Sequence, residues 1–518
     1  MECHTRTVRA ERTRPDQTRG LTMLNRARGR STVLLTAAAV VLASLGLASP
    51  ATAASTSAVS LRSSTTGAPY GQTITFSGTV RSASAPVAAA VTVESRDLSS
   101  TGSWHAVAAV NSTATGTWST ALKALKGGQF RARAVVGSAT AASSVVRVQV
   151  QPQLYDAAAA GTADLAVGGV REFTGRLHGG LAGKRVKVEQ WTPTGWTFAG
   201  QSYAKAGGGV SIPVKVTRWG AGAYRMVVPS GDGLIVKASS VLRTGAYGAA
   251  TTKLDDGKQC WGADAGVTPT CDGSRWGNSV SPKPAESEKD TQGAFSCYTS
   301  DVAVPVPSCR YGSSRGDALR VAVTGDSHGA MLLSGLKATA ATLNWRVDSF
   351  VGRGCVLAST SAGDPCQKRR TDLAKRLAAG GYDVVVVTAL RSDSVDPASF
   401  AAAWKPLIAK GTKVIAVADD PMQSDAAIAC AVGSKSAEAA MKCATTKFSA
   451  FAVQDPLRAA VASTPGAKLV DQTGRMCDAT RCPVVIGHVM AYRDRHHMSA
   501  TFVRTLVPYL VQEMAGSL

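Results

Sequence analysis

The stretch Leu319–Gly335, LRVAVTGDSHGAMLLSG, decides the reading of this chain. It opens on an apolar run, turns through Gly-Asp-Ser-His-Gly, and continues in small and apolar residues without a proline. That order predicts a buried strand, a sharp corner and a helix. The corner leaves Ser327 at the carboxyl end of the strand and at the start of the helix. Orphan N–H groups at such a helix start favour negative charge. A serine at a turn is by itself most often a turn residue, so its meaning depends on what the rest of the chain brings to it.

Outward from the corner, strand-like and helix-like segments alternate. WRVDSFV, YDVVVVTAL, TKVIAVADD and AKLVDQTG read as strands, and CQKRRTDLAKRLAAG, PASFAAAWKPLIAKG, FSAFAVQDPLRAAVAS and SATFVRTLVPYLVQEM as helices. Nearly continuous Val/Ile runs indicate strands buried on both faces. The alternation predicts a parallel sheet covered by helices on both sides. Ligands bind such sheets at the carboxyl ends of the strands, where Ser327 falls.

Upstream the texture differs. From about residue 55 to 246, short runs of alternating polarity are punctuated by Gly, Ser, Thr and Pro, as in β-sandwiches. The pattern occurs twice, with a period a little under 100 residues. Phe76 before Ser-Gly matches Phe173 before Thr-Gly, Trp104 matches Trp196, and GGQFRARAVV matches GAGAYRMVVP. Both units resemble the immunoglobulin-like modules of bacterial secreted proteins, which implies a sandwich and no activity. Trp191, Trp196 and Trp219 are read as core or edge aromatics, with stacking on sugar rings as the alternative.

The chain has 518 residues, 57 basic and 35 acidic, for a net charge of +22. Anionic surfaces, an anionic cell wall among them, are attracted to such a charge. The lack of a dense Lys/Arg run with interleaved aromatics argues against nucleic acid. MLNRARGR from Met23, the apolar run that follows and the Ala51-Thr52-Ala53 site have the layout of a secretory signal peptide, with Met23 a second candidate start. Export to the cell wall or medium is therefore expected. Past residue 53 no apolar run reaches the ~18 residues of a membrane span.

Ten of the eleven cysteines lie beyond residue 259. They fall as neighbours: Cys260 and Cys271, Cys297 and Cys309, Cys355 and Cys366, Cys430 and Cys443, Cys477 and Cys482. An even number in an exported chain reads as disulfides, with neighbour pairing expected, though spacing alone does not fix connectivity. No C-x-x-C pair points to zinc. The expected organisation is an N-terminal extension with signal peptide over 1–53, sandwiches over 54–151 and 152–246, a cysteine-containing linker or cap over 247–317, and the α/β domain over 318–518.

A nucleophilic serine needs a base. YRDRHHMS supplies Asp494 three residues before His497, a spacing that puts an acid and an imidazole on one face of a turn. His328 is read as a helix-start residue near the site, and Asp326 as a cap of the helix. Asp419 and Asp420, at another strand end, are a minor candidate for metal.

GDSHG, the stretches CRYG and GRGCVL, the pair CDATRCPVV and the terminal YRDRHHMS together resemble the SGNH, or GDSL-type, hydrolases. The resemblance is closest to the SGNH domains attached to bacterial membrane O-acyltransferases and covers about residues 260–518. GDSHG also fits the nucleophile elbow of α/β-hydrolases. A serine after the first strand and a terminal Asp-x-x-His favour the SGNH reading. That reading implies an α/β/α flavodoxin-like fold, with Ser327 as nucleophile, His497 as base and Asp494 as orienting acid. It implies an oxyanion hole from the N–H groups of Ser327 and Gly354, with Gly352 as the neighbouring alternative. The family's third motif offers an Asn side chain, and here the matching strand end reads VVVVTALRSDS. Arg391 and Ser392 are candidates to stand in, and these two with Arg353 are candidates to line a substrate pocket. No metal and no cofactor are implied. The expected activity is removal or transfer of O-acyl groups, acetyl foremost, on a cell-wall glycan or other carbohydrate through an acyl-enzyme. A separate membrane protein is a candidate acyl donor. The alternative is a catalytically weak or inactive protein that binds cell-wall polysaccharide.

Overall fold

The computed structural model describes residues 57–518 apart from 161–164, 179–180, 267–270, 272, 355, 362 and 393. The signal-peptide reading therefore lies outside the described residues. No helix among them is long and apolar enough to cross a membrane.

The first β module packs two sheets face to face. One is built around the long strand Thr73–Ser82, and the other around Gly128–Val136 and Ala90–Arg96. Inward-facing Phe76, Val80, Val91, Val93, Trp118 and Ala132 form its core. The second module repeats the plan with Val170–Leu177 in one sheet, and Arg185–Thr192 and Gly220–Val228 in the other.

The sequence repeat is preserved in contacts. Phe76 lies against Phe130 with ring centroids 4.8 Å apart, and Phe173 lies against Tyr224 at 4.9 Å. Arg131 bonds Glu94 at 2.7 Å, as Arg225 bonds Glu189 at 2.8 Å. Each arginine also covers its tryptophan, Arg131 over Trp104 at 4.4 Å and Arg225 over Trp196 at 4.5 Å. Trp196 further meets Trp191 edge-on at 5.3 Å. Trp219 donates to the Gly248 carbonyl at 3.1 Å. The three tryptophans thus pack within the protein, and the sugar-stacking alternative gains nothing from their placement.

The α/β domain has five central strands: β1 (Leu319–Gly325), β2 (Trp345–Gly352), β3 (Val384–Val387), β4 (Lys413–Val417) and β5 (Ala467–Val470). They are parallel and lie in the order 2-1-3-4-5. Side chains alternate between faces. Val321, Val323, Val384, Val386 and Ile415 meet α1 (Ser327–Thr339) and α5 (Ala500–Met514). Ala322, Val385, Val387, Val414 and Ala416 meet α2 (Gln367–Gly380), α3 (Pro397–Ala409) and α4 (Pro456–Ala462). Strand order reverses between β1 and β3, and the crevice there is where such sheets bind ligands.

Two departures have local causes. The segment read as one helix from Phe448 to Ser463 is broken: Lys447–Ala450 ends, and Asp455 caps a new helix that starts at Pro456. Proline fits the first turn, where its missing N–H has no partner to lose. The segment read as linker or cap supplies sheet edge. Tyr298–Thr299 runs parallel to β2, and Cys309–Gly312 runs antiparallel to it.

Disulfides join Cys260–Cys271, Cys297–Cys309, Cys430–Cys443 and Cys477–Cys482. Cys366 is also disulfide-bonded, while Cys355, its expected partner, lies outside the described residues. Such bonds persist in oxidising, extracytoplasmic compartments.

The second β module is anchored to the α/β domain. Asp317, just ahead of β1, takes hydrogen bonds from Arg218, from Arg315 at 2.9 Å and from Asn344 at 3.2 Å. Asn344 also donates to the Ala221 carbonyl at 2.9 Å, and Trp345 Nε1 donates to the Tyr247 hydroxyl at 2.8 Å.

Candidate active site

The corner forms because β1 ends at Gly325, whose φ of 155° lies in a region L side chains rarely adopt. A Cβ there would also sit 2.1 Å from Thr388 Oγ1. Asp326 then caps α1. Its Oδ1 accepts from His328 N at 2.9 Å, and its Oδ2 from Leu390 N at 2.8 Å. One carboxylate thus ties the helix start to the end of β3. Ser327 is the first helical residue and only partly buried.

Asp494 and His497 are brought together as a pair. His497 Nδ1 lies 2.7 Å from Asp494 Oδ2, while Asp494 Oδ1 accepts from His496 N at 3.0 Å and His497 N at 2.8 Å. Burial works against ionisation of Asp494, yet these three donors hold its carboxyl well below the usual range. A carboxylate on Nδ1 fixes a tautomer with the Nε2 lone pair free. His497 Nε2 is buried and has no hydrogen-bond partner among the described residues.

The turn that carries this pair is pressed onto α1. Met498 N lies 2.7 Å from Met331 Sδ, and the ring centroids of His497 and His328 are 5.2 Å apart. Since His328 follows Ser327, the pair lies beside the helix start. The lead-in segment clamps the turn from outside. Phe295 meets His497 edge-on at 6.2 Å, Arg493 donates to the Glu288 carbonyl at 2.9 Å, and Asp290 accepts from Thr501 N at 2.8 Å.

A second acid–imidazole system lies directly behind. His328 is buried, with Nδ1 at 2.6 Å from Asp419 and 3.3 Å from Asp420, and Nε2 at 3.2 Å from His496 Nδ1. Burial alone would strip its proton, but the two carboxylates hold it well above the ordinary imidazole value. His496 is lowered instead, by burial and by its imidazole neighbours. Asp420 has no hydrogen-bond partner on either carboxylate oxygen among the described residues. His328 is therefore more than a helix-start residue. Its partners lie 91 and 168 positions away, beyond any local motif.

The other candidates separate. Gly354 is exposed, with φ of 72° and open space where a Cβ would stand. Gly352 is buried at the end of β2, against Arg369, Val306 and Thr299. Arg369 accounts for the shape of this loop, donating to the carbonyls of Arg353 at 3.0 Å and Val304 at 2.9 Å. The Arg353 side chain is exposed.

Arg391 corrects an expectation. It is 3% exposed, and its guanidinium donates to the carbonyls of Asp420, Val453 and Asp419 at 3.1, 3.0 and 2.9 Å. A cation so enclosed braces the end of β4 and does not line a substrate pocket. Ser392 shares a local 2.7 Å hydrogen bond with Ser394. Neither provides a visible substitute for the missing Asn.

Residues 296–512 match the family described as "SGNH domain (fused to AT3 domains)". The match begins upstream of β1 and takes in the Cys297–Cys309 lead-in. No curated protein matches the chain. Among solved structures, the periplasmic domain of a lipopolysaccharide acetyltransferase from Salmonella ser. Paratyphi A is similar over 48% of this chain and 97% of its own, with 11% identity and a TM-score of 0.32. The Yersinia pseudotuberculosis adhesin InvE is similar over 36% of this chain and 58% of its own, with 14% identity and a TM-score of 0.23.

Proposed function

Because the chain carries an SGNH domain over residues 296–512, we propose that it is an extracytoplasmic serine esterase or O-acyltransferase acting on acylated carbohydrate. The observation that carries the reading is the buried, unpartnered Nε2 of His497, with Asp494 fixed on the opposite ring nitrogen beside the helix that starts at Ser327.

Ser327 Oγ attacks the ester carbonyl while His497 Nε2 takes its proton. Asp494 stabilises the imidazolium and holds the ring in place. The tetrahedral oxyanion is met by the N–H of Ser327, an orphan donor of the first helical turn, and by the N–H of Gly354. Collapse breaks the bond to the sugar oxygen, which leaves with the proton from His497. The acyl group remains on Ser327. Water attacking the acyl-enzyme, again with His497 as base, gives the carboxylic acid and free serine. A sugar hydroxyl in place of water gives transfer. Without the Asn, a loss on the order of 10²–10³ in rate relative to a site with three donors is expected.

That missing donor favours a second reading, an SGNH domain that binds cell-wall glycan without turning it over. A serine-directed fluorophosphonate separates the two. The proposal expects a covalent adduct on Ser327 that disappears in His497→Ala. Failure to label at Ser327 in the folded protein, together with retention on isolated cell wall, supports the binding role.

A further inference from the structure

Three imidazoles converge where the helix start meets the terminal turn. His328, His496 and His497 each place a ring nitrogen so that all three lie within 4.8 Å of one another. Two of these rings carry a carboxylate on Nδ1: Asp419 at 2.6 Å on His328, and Asp494 at 2.7 Å on His497. A carboxylate behind an imidazole is the arrangement that orients metal-ligating histidines and raises their basicity. In both rings Nε2 is the nitrogen not held by the carboxylate. His497 Nε2 is buried without a partner, and His328 Nε2 faces His496 Nδ1 at 3.2 Å.

We propose that His328, His496 and His497 form a binding site for a divalent cation of the zinc class. Tetrahedral zinc with bonds of about 2.0–2.1 Å needs nitrogens roughly 3.4 Å apart. The 3.2 Å pair already has that separation, and the third ligand atom is the buried His497 Nε2 on a partly buried turn. Imidazole suits zinc, copper and nickel better than magnesium or calcium. Three carboxylates stand around the rings, Asp419, Asp420 and Asp494. One buried guanidinium, Arg391, lies 3.6 Å from Asp419. The carboxylates outnumber the guanidinium, so the surroundings are negative and favour a dication. Zinc would occupy the lone pair that takes the serine proton, so binding switches off the proposed hydrolysis. That consequence rests on the serine-esterase reading, whereas the site itself does not.

The test uses untagged full chain freed of metal by a chelator. Zinc affinity is measured by competition with a chromophoric chelator, and ester hydrolysis is followed in parallel. One equivalent of zinc is expected, with hydrolysis lost in step with occupancy and restored by EDTA. His496→Gln, at a partly exposed position, is expected to weaken zinc at least ~10-fold. Asp419→Asn is expected to weaken it ~10–100-fold through His328. His488→Gln, at a histidine outside the cluster, leaves affinity unchanged. Absence of stoichiometric zinc at micromolar concentrations overturns the proposal. So does affinity that is unchanged in both His496→Gln and His328→Gln. If the chain hydrolyses no ester, the affinity measurements still decide the metal site, and only the serine-esterase reading fails.

Discussion

Asp494 and His497 meet at 2.7 Å, and Asp419 and His328 meet at 2.6 Å. The first pair is three residues apart in sequence, and its side chains are 42% and 15% exposed. The second spans 91 residues and is 3% and 2% exposed. The first leaves Nε2 without a partner, while the second turns Nε2 onto His496. The chemistry of the two pairs is the same. Burial and the fate of Nε2 decide which one is able to take a proton from an outside group. In the proposed mechanism the more exposed pair serves turnover, while the buried pair links the end of β4, α1 and the terminal turn.

The largest expected effects fall on the exposed pair and its serine. Ser327→Ala and His497→Ala are each expected to lower ester hydrolysis by up to ~10⁶, and Asp494→Asn by ~10⁴, with unfolding midpoints little changed. Steady-state rates on a small acetyl ester and urea unfolding of the same samples check this. Comparable loss from Asp419→Asn per folded molecule would break the distinction between the pairs.

Asp419→Asn is expected to act on stability. Removing one partner of a buried ion pair costs about 3–5 kcal/mol, and Asp420, 3.3 Å from His328 Nδ1, offsets part of that loss. Urea unfolding should show a far larger drop for this variant than for Asp494→Asn. Equal drops would mean that burial does not separate the two pairs.

Reduction extends the contrast to whole regions. All ten cysteines beyond residue 259 lie outside the β modules. Each small loop that a disulfide closes is worth ~2–3 kcal/mol. Hydrogen exchange after reduction should accelerate in the α/β domain and leave residues 57–151 protected. Uniform acceleration across both would contradict this.

The smallest effect concerns the junction. Burial alone would raise Asp317, but Arg315, Arg218 and Asn344 pull it down to about 2. Its folded value is depressed, so its contribution is full above the unfolded value of about 3.9 and is lost as pH falls through about 2. Protection at Ala221 and Asn344 should therefore weaken between those limits in wild type and be flat there in Asp317→Asn.

Local patterns were legible. The β1–corner–α1 unit follows from one apolar run and Gly-Asp-Ser-His, and Asp494 and His497 share a turn. The Phe76/Phe173 and Trp104/Trp196 repeat is realised as matching contacts. What needed the fold was every long-range pairing. Nothing near His328 in sequence announces Asp419 or His496. Arg391 reads as a loop arginine because its acceptors are backbone carbonyls, which no side-chain pattern encodes. The polar lead-in hides its role for the same reason: Asp290 and Phe295 act through a turn some 200 residues away.

The most direct measurement is acetate release from a small acetyl ester by the purified chain, with Ser327→Ala alongside. Release by the parent that vanishes in the variant is the predicted result. Release that persists in Ser327→Ala would contradict the assignment of Ser327 as nucleophile.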